Sequence, residues 1–260
     1  MIKNLVIITF VSLISLVTTK TYGQKSLYVE YKEFVNIQVP LIRDEALWID
    51  LDKNTSIYAS DISHQVSDEK IEKEILKKET GSSNVVASIG RIIDNDYVII
   101  DYNEKKVELI EDHGKKVFHV EDTFLDKKWI LFSEKKYIQG YEVFKASVHL
   151  RGVDWEVWYA PDLPYSYGPW KLNGLPGLIL EAKTFDGFYT FKATSIEFDT
   201  NNKIDVPYDK IYKKITFKEY LEYQDTLYNM LFLDIKHEPR NIFKKSKERN
   251  FETKANLSWM

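Results

Sequence analysis

The chain has 260 residues, a formal net charge of −4 and no cysteine. The absence of cysteine excludes disulfides, thiolate metal sites, a cysteine nucleophile and lipidation at an N-terminal cysteine. The acidic balance argues against nucleic acid as a partner. The 17 tyrosines and 14 phenylalanines indicate a chain rich in β-strands.

The N-terminal segment predicts export. Lys3 precedes an apolar run from Leu5 to Val17, and small residues follow it, which is typical of a secretory signal peptide cleaved after Gly23. A stable membrane span needs about 20 apolar residues, and this run is shorter, which favours a cleaved signal peptide. An uncleaved anchor helix is the alternative. The mature chain is then periplasmic or secreted and has no transmembrane span. We predict one β-rich domain over residues 24–240 and a basic tail over residues 241–260, either solvated or in contact with a membrane.

The first half of the mature chain predicts strands joined by short turns. Apolar residues alternate from Leu27 to Tyr31, and the polar run 52–55 separates two strand-like segments, which indicates a strand followed by a hairpin. A charged segment from Ser67 to about Lys78 favours a short helix, with a loop at 80–84. Short apolar runs from residue 97 to residue 132 then predict an antiparallel meander.

The second half predicts two further hairpins and a helix. Strands are expected at 141–150 and 154–160, and again at 178–184 and 188–198 around the turn dipeptide Asp186-Gly187. Thr216 and Glu219 have the spacing of a helix capping box, and apolar residues recur behind them at helical spacing. The predicted fold class is mostly β (α+β), a large curved antiparallel sheet or half-barrel with one or two packed helices.

The loop between the two late hairpins has the most unusual composition in the chain. Glycine admits left-handed backbone and proline fixes φ, so their concentration here predicts a sharply folded, rigid loop. Three of the ten glycines and two of the seven prolines fall within it: Gly168, Pro169, Gly174, Pro176 and Gly177.

The same loop resembles the signature of the GLPGLI family of bacterial envelope proteins. Its letters are Gly174, Leu175, Pro176, Gly177, Leu178 and Ile179, preceded by Gly168, Pro169, Trp170 and Lys171. Two further blocks add to the resemblance, Lys136 to Tyr141 with Lys145-Ala146, and Arg151 to Pro164 with its aromatic pair. The resemblance covers residues 136–198. It implies an exported protein, mostly antiparallel β and akin to the half-barrel sheets of periplasmic lipoprotein carriers, without a settled activity.

Motifs for catalysis, metal binding or cofactor binding are missing. The sequence has no G-x-S-x-G, H-E-x-x-H or phosphate-binding glycine loop, and its histidines lack metal-ligand spacing: His64, His113, His119, His149 and His237. We therefore predict no catalytic residue, no metal and no cofactor. A hydrolase of unrecognised type, centred on Asp162, Glu181 and His149, stays open as an alternative.

We interpret the chain as a non-enzymatic envelope protein that binds an apolar or peptidic ligand or an outer-membrane partner. The predicted ligand-binding residues lie in or just before the signature loop, residues 168–179: Asp162, Tyr165, Tyr167, Trp170 and Lys171. Lys171 either pairs with Asp162 or Glu181 or meets an anionic ligand. A purely structural envelope component is the second reading, in which the loop only folds the sheet.

Overall fold

The computed structural model describes residues 24–36, 40–60, 97–112 and 116–233. The predicted signal peptide with its cleavage site, the helix and loop expected at 67–84 and the basic tail lie outside these residues. The described strands are β1 Ser26–Val35, β2 Leu41–Asp50, β3 Thr55–Ala59, β4 Tyr97–Asp101, β5 Lys106–Asp112, β6 Val117–Thr123, β7 Ile130–Ile138, β8 Tyr141–Leu150, β9 Val153–Ala160, β10 Leu178–Thr184, β11 Tyr189–Phe198 and β12 Ile211–Thr216. A 3-10 turn at Tyr208–Lys210 precedes β12, and helix α1, Phe217–Leu233, follows it.

These twelve strands form one sheet in the order β12-β6-β5-β4-β3-β2-β1-β11-β10-β9-β8-β7. All neighbouring pairs run antiparallel except β12 with β6, which run parallel. The predicted mostly-β class with a large curved sheet is confirmed. The parallel pair departs from the prediction because β12 is reached through a long connection after β11, and only a short hairpin forces antiparallel pairing.

The sheet curls strongly enough to bring distant strands together. Eight strand-to-strand steps separate β6 from β9, which in a flat sheet would amount to about 38 Å. Yet Asp122 on β6 lies 2.7 Å from Arg151 in the turn before β9. We call the gap between these two parts of the curled sheet the opening. The connection 124–129 crosses it, because this connection leads from β6 to β7 at the opposite edge of the sheet.

One face of the sheet, here called the inner face, carries the main core. Along β1 the alternation read from the sequence holds, with Leu27, Val29 and Tyr31 buried and their neighbours half-buried. The Tyr31 hydroxyl donates to the Ile179 carbonyl at 2.7 Å and so ties β1 to the start of β10. Two elements pack against this face, the segment 161–177 that holds the signature loop, and the first turns of α1.

A smaller core lies on the outer face. Ala59, Tyr97, Ile110 and Val117 pack there under Ile204 and Val206 of the segment that leads to β12, and under Ile211 at the start of β12. Elsewhere on the outer face the side chains form exposed or half-exposed ion pairs, such as Lys183 with Glu156 at 3.0 Å. The outer face is thus partly covered and partly open to solvent.

Helix α1 begins as the capping box predicts. The Thr216 backbone N–H donates to Glu219 Oε2 at 2.8 Å, and the Glu219 N–H donates back to Thr216 Oγ1 at 3.3 Å. These reciprocal bonds satisfy backbone donors of the first turn and fix where the helix starts. No helix in the described segments has the length and hydropathy needed to cross a membrane.

Candidate functional site

Backbone hydrogen bonds fold the signature loop back against the inner face of the sheet. The Gly174 N–H donates to the Ser166 carbonyl at 3.0 Å, and the Ile179 N–H donates to the Tyr167 carbonyl at 3.0 Å. A side chain at Gly177 could not fit, since a Cβ there would lie 2.3 Å from the Ala160 carbonyl oxygen. The glycines therefore allow the loop to press against the strand that precedes it.

The loop inserts its aromatic and apolar side chains into the inner core. Trp170 is 6% exposed and stacks on Trp155 with ring centroids 5.8 Å apart. Trp155 stacks in turn on Phe191 of β11 at 6.1 Å. Leu172 and Leu175 are fully buried beside them. The loop thus fills the inside of the curled sheet, and its packing makes it rigid.

A buried ion cluster lies where the loop meets both halves of the sheet. Asp122 of β6 accepts from Arg151 at 2.7 Å and from Lys171 of the loop at 2.9 Å. All three side chains are nearly inaccessible to solvent. Both cations also lie over the ring of Phe217, the first residue of α1, at 5.0 and 5.1 Å. We call Asp122, Arg151 and Lys171 the clamp, because they join four separate segments.

Electrostatics within the clamp favour a charged carboxylate. Burial by itself raises the pKa of Asp122, but Lys171 and Arg151 outweigh it through their charges and hydrogen bonds, and the net effect lowers this pKa. A carboxylate with a low pKa and two cations is a weak proton acceptor near neutral pH. The clamp can therefore hold segments together, but it is poorly suited to acid–base catalysis.

A second group of polar and aromatic side chains lies at the edge of the opening, where the connection 124–129 meets the loop. Lys127 Nζ donates to Asn173 Oδ1 at 3.0 Å and to the Leu125 carbonyl at 3.1 Å. Trp129 Nε1 donates to the Asn173 carbonyl at 3.0 Å. Asn173 thus holds two side chains of the crossing segment, one by its side chain and one by its backbone.

Aromatic rings complete this group. Tyr102 packs edge-on against Phe124 at 6.2 Å and against Tyr167 at 4.9 Å, and Lys127 lies 5.4 Å from the Phe124 ring centroid. Phe124, Lys127 and Trp129 are half-buried, so each presents part of its surface to solvent. We call the set the rim cluster: Tyr102, Phe124, Lys127, Trp129, Tyr167 and Asn173.

Burial and the charges of Arg151 and Lys171 lower the pKa of Lys127 to about 8. Asp126 opposes this effect, but its side chain is 79% exposed and pairs with Lys105 at 3.0 Å. Lys127 is thus a half-buried amine close to its titration point at neutral to mildly basic pH.

Comparison with known proteins identifies the family. The family described as "N-glycanase peptide, N-terminal domain" matches residues 44–225, well over half of the chain and inclusive of the clamp and the rim cluster. The chain belongs to this family. No curated protein matches it.

Solved structures resemble the chain only loosely. PNGF-II is 17% identical with a TM-score of 0.49, and the match covers 77% of this chain and 32% of that one. An uncharacterised conserved protein from Thermus thermophilus is 9% identical with a TM-score of 0.40, over 75% and 91% of the two chains. A LolA superfamily protein from Nitrosomonas europaea is 8% identical with a TM-score of 0.27, over 72% and 89%. The chain spans about a third of the length of PNGF-II.

In this member of the N-glycanase N-terminal-domain family, the five residues predicted to bind ligand lie in different environments. Tyr167, Trp170 and Lys171 are buried in the core, while Asp162 is exposed. Tyr165 is half-buried, its ring lies 6.2 Å from Phe198, and its hydroxyl donates to Gln24. Lys171 has Asp122 as a partner, where Asp162 or Glu181 was expected. Ligand contact at these five residues stays a prediction.

Two of the three residues of the hydrolase alternative, His149 and Glu181, lie apart. His149 of β8 bonds to Asp154 of β9 at 2.7 Å, with both side chains exposed, whereas Glu181 pairs with Lys136 at 3.0 Å. Asp154 and Trp158, their respective neighbours on β9, are four residues apart, which is about 13 Å along a strand. Within the described residues, no group of three or more His, Asp or Glu side chains could hold a metal ion.

Sequence reasoning missed the partner of the clamp cations and most of the rim cluster. Asp122 falls at the end of a predicted strand and has no motif around it. Lys127 is adjacent to Lys128 in a polar segment between two predicted strands, where no pattern distinguishes the two lysines. The signal available in the sequence was an arginine beside a glycine, Arg151-Gly152, in the turn between two predicted strands. The structure shows that both residues have positive φ, +53° and +80°, and that the arginine is buried.

Proposed function

We propose that this chain is an exported, non-catalytic binding module of the cell envelope that takes a peptidic ligand at the rim cluster. The observation that carries the proposal is the rim cluster itself. Half-buried aromatic rings and one half-buried amine share an edge of the curled sheet, held by a loop that the core makes rigid. Such a mixture of apolar surface and a few fixed polar groups is typical of sites that bind small molecules and peptides.

A binding role is favoured over a catalytic one by the state of the charged groups. The carboxylate of the clamp is committed to two cations and has a lowered pKa. The described histidines, His119 and His149, each bond to a carboxylate, at 2.6 and 2.7 Å, and neither belongs to the rim cluster. No nucleophile with an adjacent base is present in the rim cluster, and hydrolysis of an amide or glycosidic bond through a covalent intermediate requires such a pair.

The family description supplies the ligand to test first. Because the family is named for an N-glycanase peptide, a peptide that carries an N-linked glycan is the natural probe. The same description of an N-terminal domain supports a module that accompanies other functions. The resemblance to the GLPGLI family points in the same direction, since it implies an exported protein without a settled activity.

Isothermal titration calorimetry would test the proposal with a synthetic N-glycosylated peptide and its unglycosylated counterpart. Phe124→Ala removes an aromatic wall of the rim cluster and is expected to weaken binding by roughly tenfold or more. Phe185→Ala is the matched control, because Phe185 is 63% exposed in the turn between β10 and β11 and belongs to neither cluster. Binding that neither substitution changes would refute the rim as the ligand site.

The same samples discriminate the two alternatives. Mass spectrometry of the glycopeptide after prolonged incubation would detect a released glycan or a cleaved peptide, and either product would favour a hydrolase. A purely structural envelope component is favoured by the burial of Tyr167 and Trp170, which makes the signature loop a core element. That alternative predicts that no peptide binds at millimolar concentration, while substitutions in the loop still unfold the protein.

A further inference from the structure

Lys127 is held in an unusual way for a half-buried lysine. Its two hydrogen-bond acceptors, the Leu125 carbonyl and Asn173 Oδ1, are both uncharged. Among the described residues, no carboxylate forms an ion pair with its amino group. An ammonium group has three N–H donors, so one donor has no acceptor in this part of the chain. The neighbouring Lys105, by contrast, pairs with Asp126 at 3.0 Å.

The charges that face Lys127 come from every segment around it. Arg151 and Lys171, which share the carboxylate of Asp122, act from the inner side and disfavour the charged form of Lys127. Asp126 acts from the solvent side and favours it. Lys105, on the turn after β4, is engaged with Asp126. The side chain therefore lies in a positive local field within a chain whose net charge is −4. Such a field attracts anions and is relieved when one binds.

We propose that Lys127 recognises a carboxylate of the bound ligand through this remaining N–H donor. The inference rests on the proposed function, because it assumes that the rim cluster is the ligand site. A carboxylate fits better than a phosphate, since one available N–H and one charge match a singly charged oxygen acceptor, whereas phosphate sites gather several donors. The carboxylate would come from an acidic side chain or the chain end of a peptide, beside the ring of Phe124.

The first test uses acetate as the minimal ligand. Lysine side chains labelled with ¹³C at Cε are titrated by NMR in sodium chloride and in sodium acetate at equal ionic strength, and Lys127→Met assigns the resonance. The Lys127 midpoint is expected near 8 in chloride and higher in acetate, because the anion binds only the charged amine. Equal midpoints for Lys127 would overturn the inference.

The second test uses two synthetic apolar peptides that differ only by Glu against Gln at one position. The Glu peptide is expected to bind the native chain at least about tenfold more tightly, since a charge-assisted hydrogen bond is lost with Gln. Lys127→Met should remove that preference, and Lys105→Met should keep it. Equal binding of the two peptides to the native chain would contradict the inference and leave the rim as a binding site. Binding of neither peptide, together with no binding of the N-glycosylated peptide, would refute the proposed function, and the acetate titration would then decide the role of Lys127 alone.

Discussion

Replacing Asp122 by Asn tests whether the clamp holds the curled sheet together. The substitution preserves the size of the side chain and removes its charge. Arg151 and Lys171, whose side chains are 2% and 5% exposed, then lose the carboxylate that they share. Loss of one partner from a buried ion pair leaves the others desolvated without compensation, which destabilises proteins by about 3–5 kcal/mol.

The expected effect is large compared with the stability of a domain. If the native chain unfolds with a free energy in the usual range of about 5–15 kcal/mol, Asp122→Asn removes a substantial part of it. For a domain of this size the midpoint of thermal unfolding should fall by roughly 6–20 °C. Urea unfolding followed by tryptophan fluorescence measures the free energy directly, because Trp155 and Trp170 report on the inner core.

The pH dependence follows from the lowered pKa of Asp122. Since the folded pKa lies below the unfolded value of about 3.9, the stabilisation by the carboxylate is complete above that unfolded value. It is lost as the pH falls through the folded pKa, where Asp122 becomes as neutral as the asparagine. The difference in unfolding free energy between the native chain and Asp122→Asn should therefore be constant near neutral pH and should close in acid.

Glu121→Gln is the matched control. Glu121 precedes Asp122 on the same strand and pairs with Lys214 at 2.6 Å, but both side chains are about half exposed, 50% and 52%. Exposed ion pairs contribute little because water screens them, so this variant should unfold like the native chain. The clamp does not stabilise the curled sheet if Asp122→Asn is no less stable than Glu121→Gln, or if the loss of stability does not diminish in acid.

Two further predictions concern the signature loop. Gly177→Ala should destabilise the chain by about 1–3 kcal/mol, because its Cβ would lie 2.3 Å from the Ala160 carbonyl oxygen. Gly174→Ala should have the smaller effect, about 1 kcal/mol, since its penalty comes only from a φ of +92°, and the reverse order in urea unfolding would contradict the model of close packing. Trp170→Ala should destabilise by about 3–5 kcal/mol through loss of core packing, whereas Tyr137→Ala, at a side chain that is 72% exposed, should leave the thermal midpoint unchanged.

Local patterns in the sequence predicted the elements that depend only on near neighbours. Alternation fixed the buried side of β1, because successive side chains of a strand point to opposite faces. The Asp186-Gly187 turn forms as expected, with Gly187 at a φ of +69°. The capping box at Thr216 and Glu219 forms with both reciprocal bonds. Each of these features is decided by residues that are close neighbours in the chain.

The sites depend on contacts that local patterns do not encode. Lys171 and Asp122 are far apart in the chain, and they meet only because the sheet curls across its own opening. The carboxylates nearer in sequence, Asp162 and Glu181, lie elsewhere, one in solvent and one beside Lys136. A loop rich in aromatic residues could equally have covered the surface, and its burial follows from the concavity of the sheet.

Lys127 illustrates the same limit on a finer scale. In the sequence it is indistinguishable from Lys128, since both follow Asp126 in a polar connection. Only the path of that connection over the loop places one of them against Asn173, while Lys128 is exposed. The chemistry of the rim cluster therefore arises from the crossing of two irregular segments, for which the sequence offers no periodic signal.

Asn173→Asp tests the link between this crossing and ligand recognition. The change puts a carboxylate oxygen where Asn173 Oδ1 now accepts from Lys127 at 3.0 Å, so the amine acquires an internal anion. The pKa of Lys127 should then rise above its value of about 8, because an adjacent opposite charge favours the ammonium form.

The consequence for binding is specific. Trp129 donates to the backbone carbonyl of residue 173, which the substitution retains, so Trp129 should keep its position. The bond from Asn173 Nδ2 to the Lys171 carbonyl at 3.2 Å is lost in the variant. The variant should lose the effect of acetate on the Lys127 midpoint and the preference for a Glu over a Gln peptide, while it still binds the Gln peptide as the native chain does. If acetate shifted the Lys127 midpoint equally in both proteins, an internal anion at residue 173 would not compete with an external one, which would contradict recognition through the uncompensated charge of Lys127. Because both segments that form the rim are anchored at this one residue, its replacement separates the electrostatic part of recognition from the apolar part.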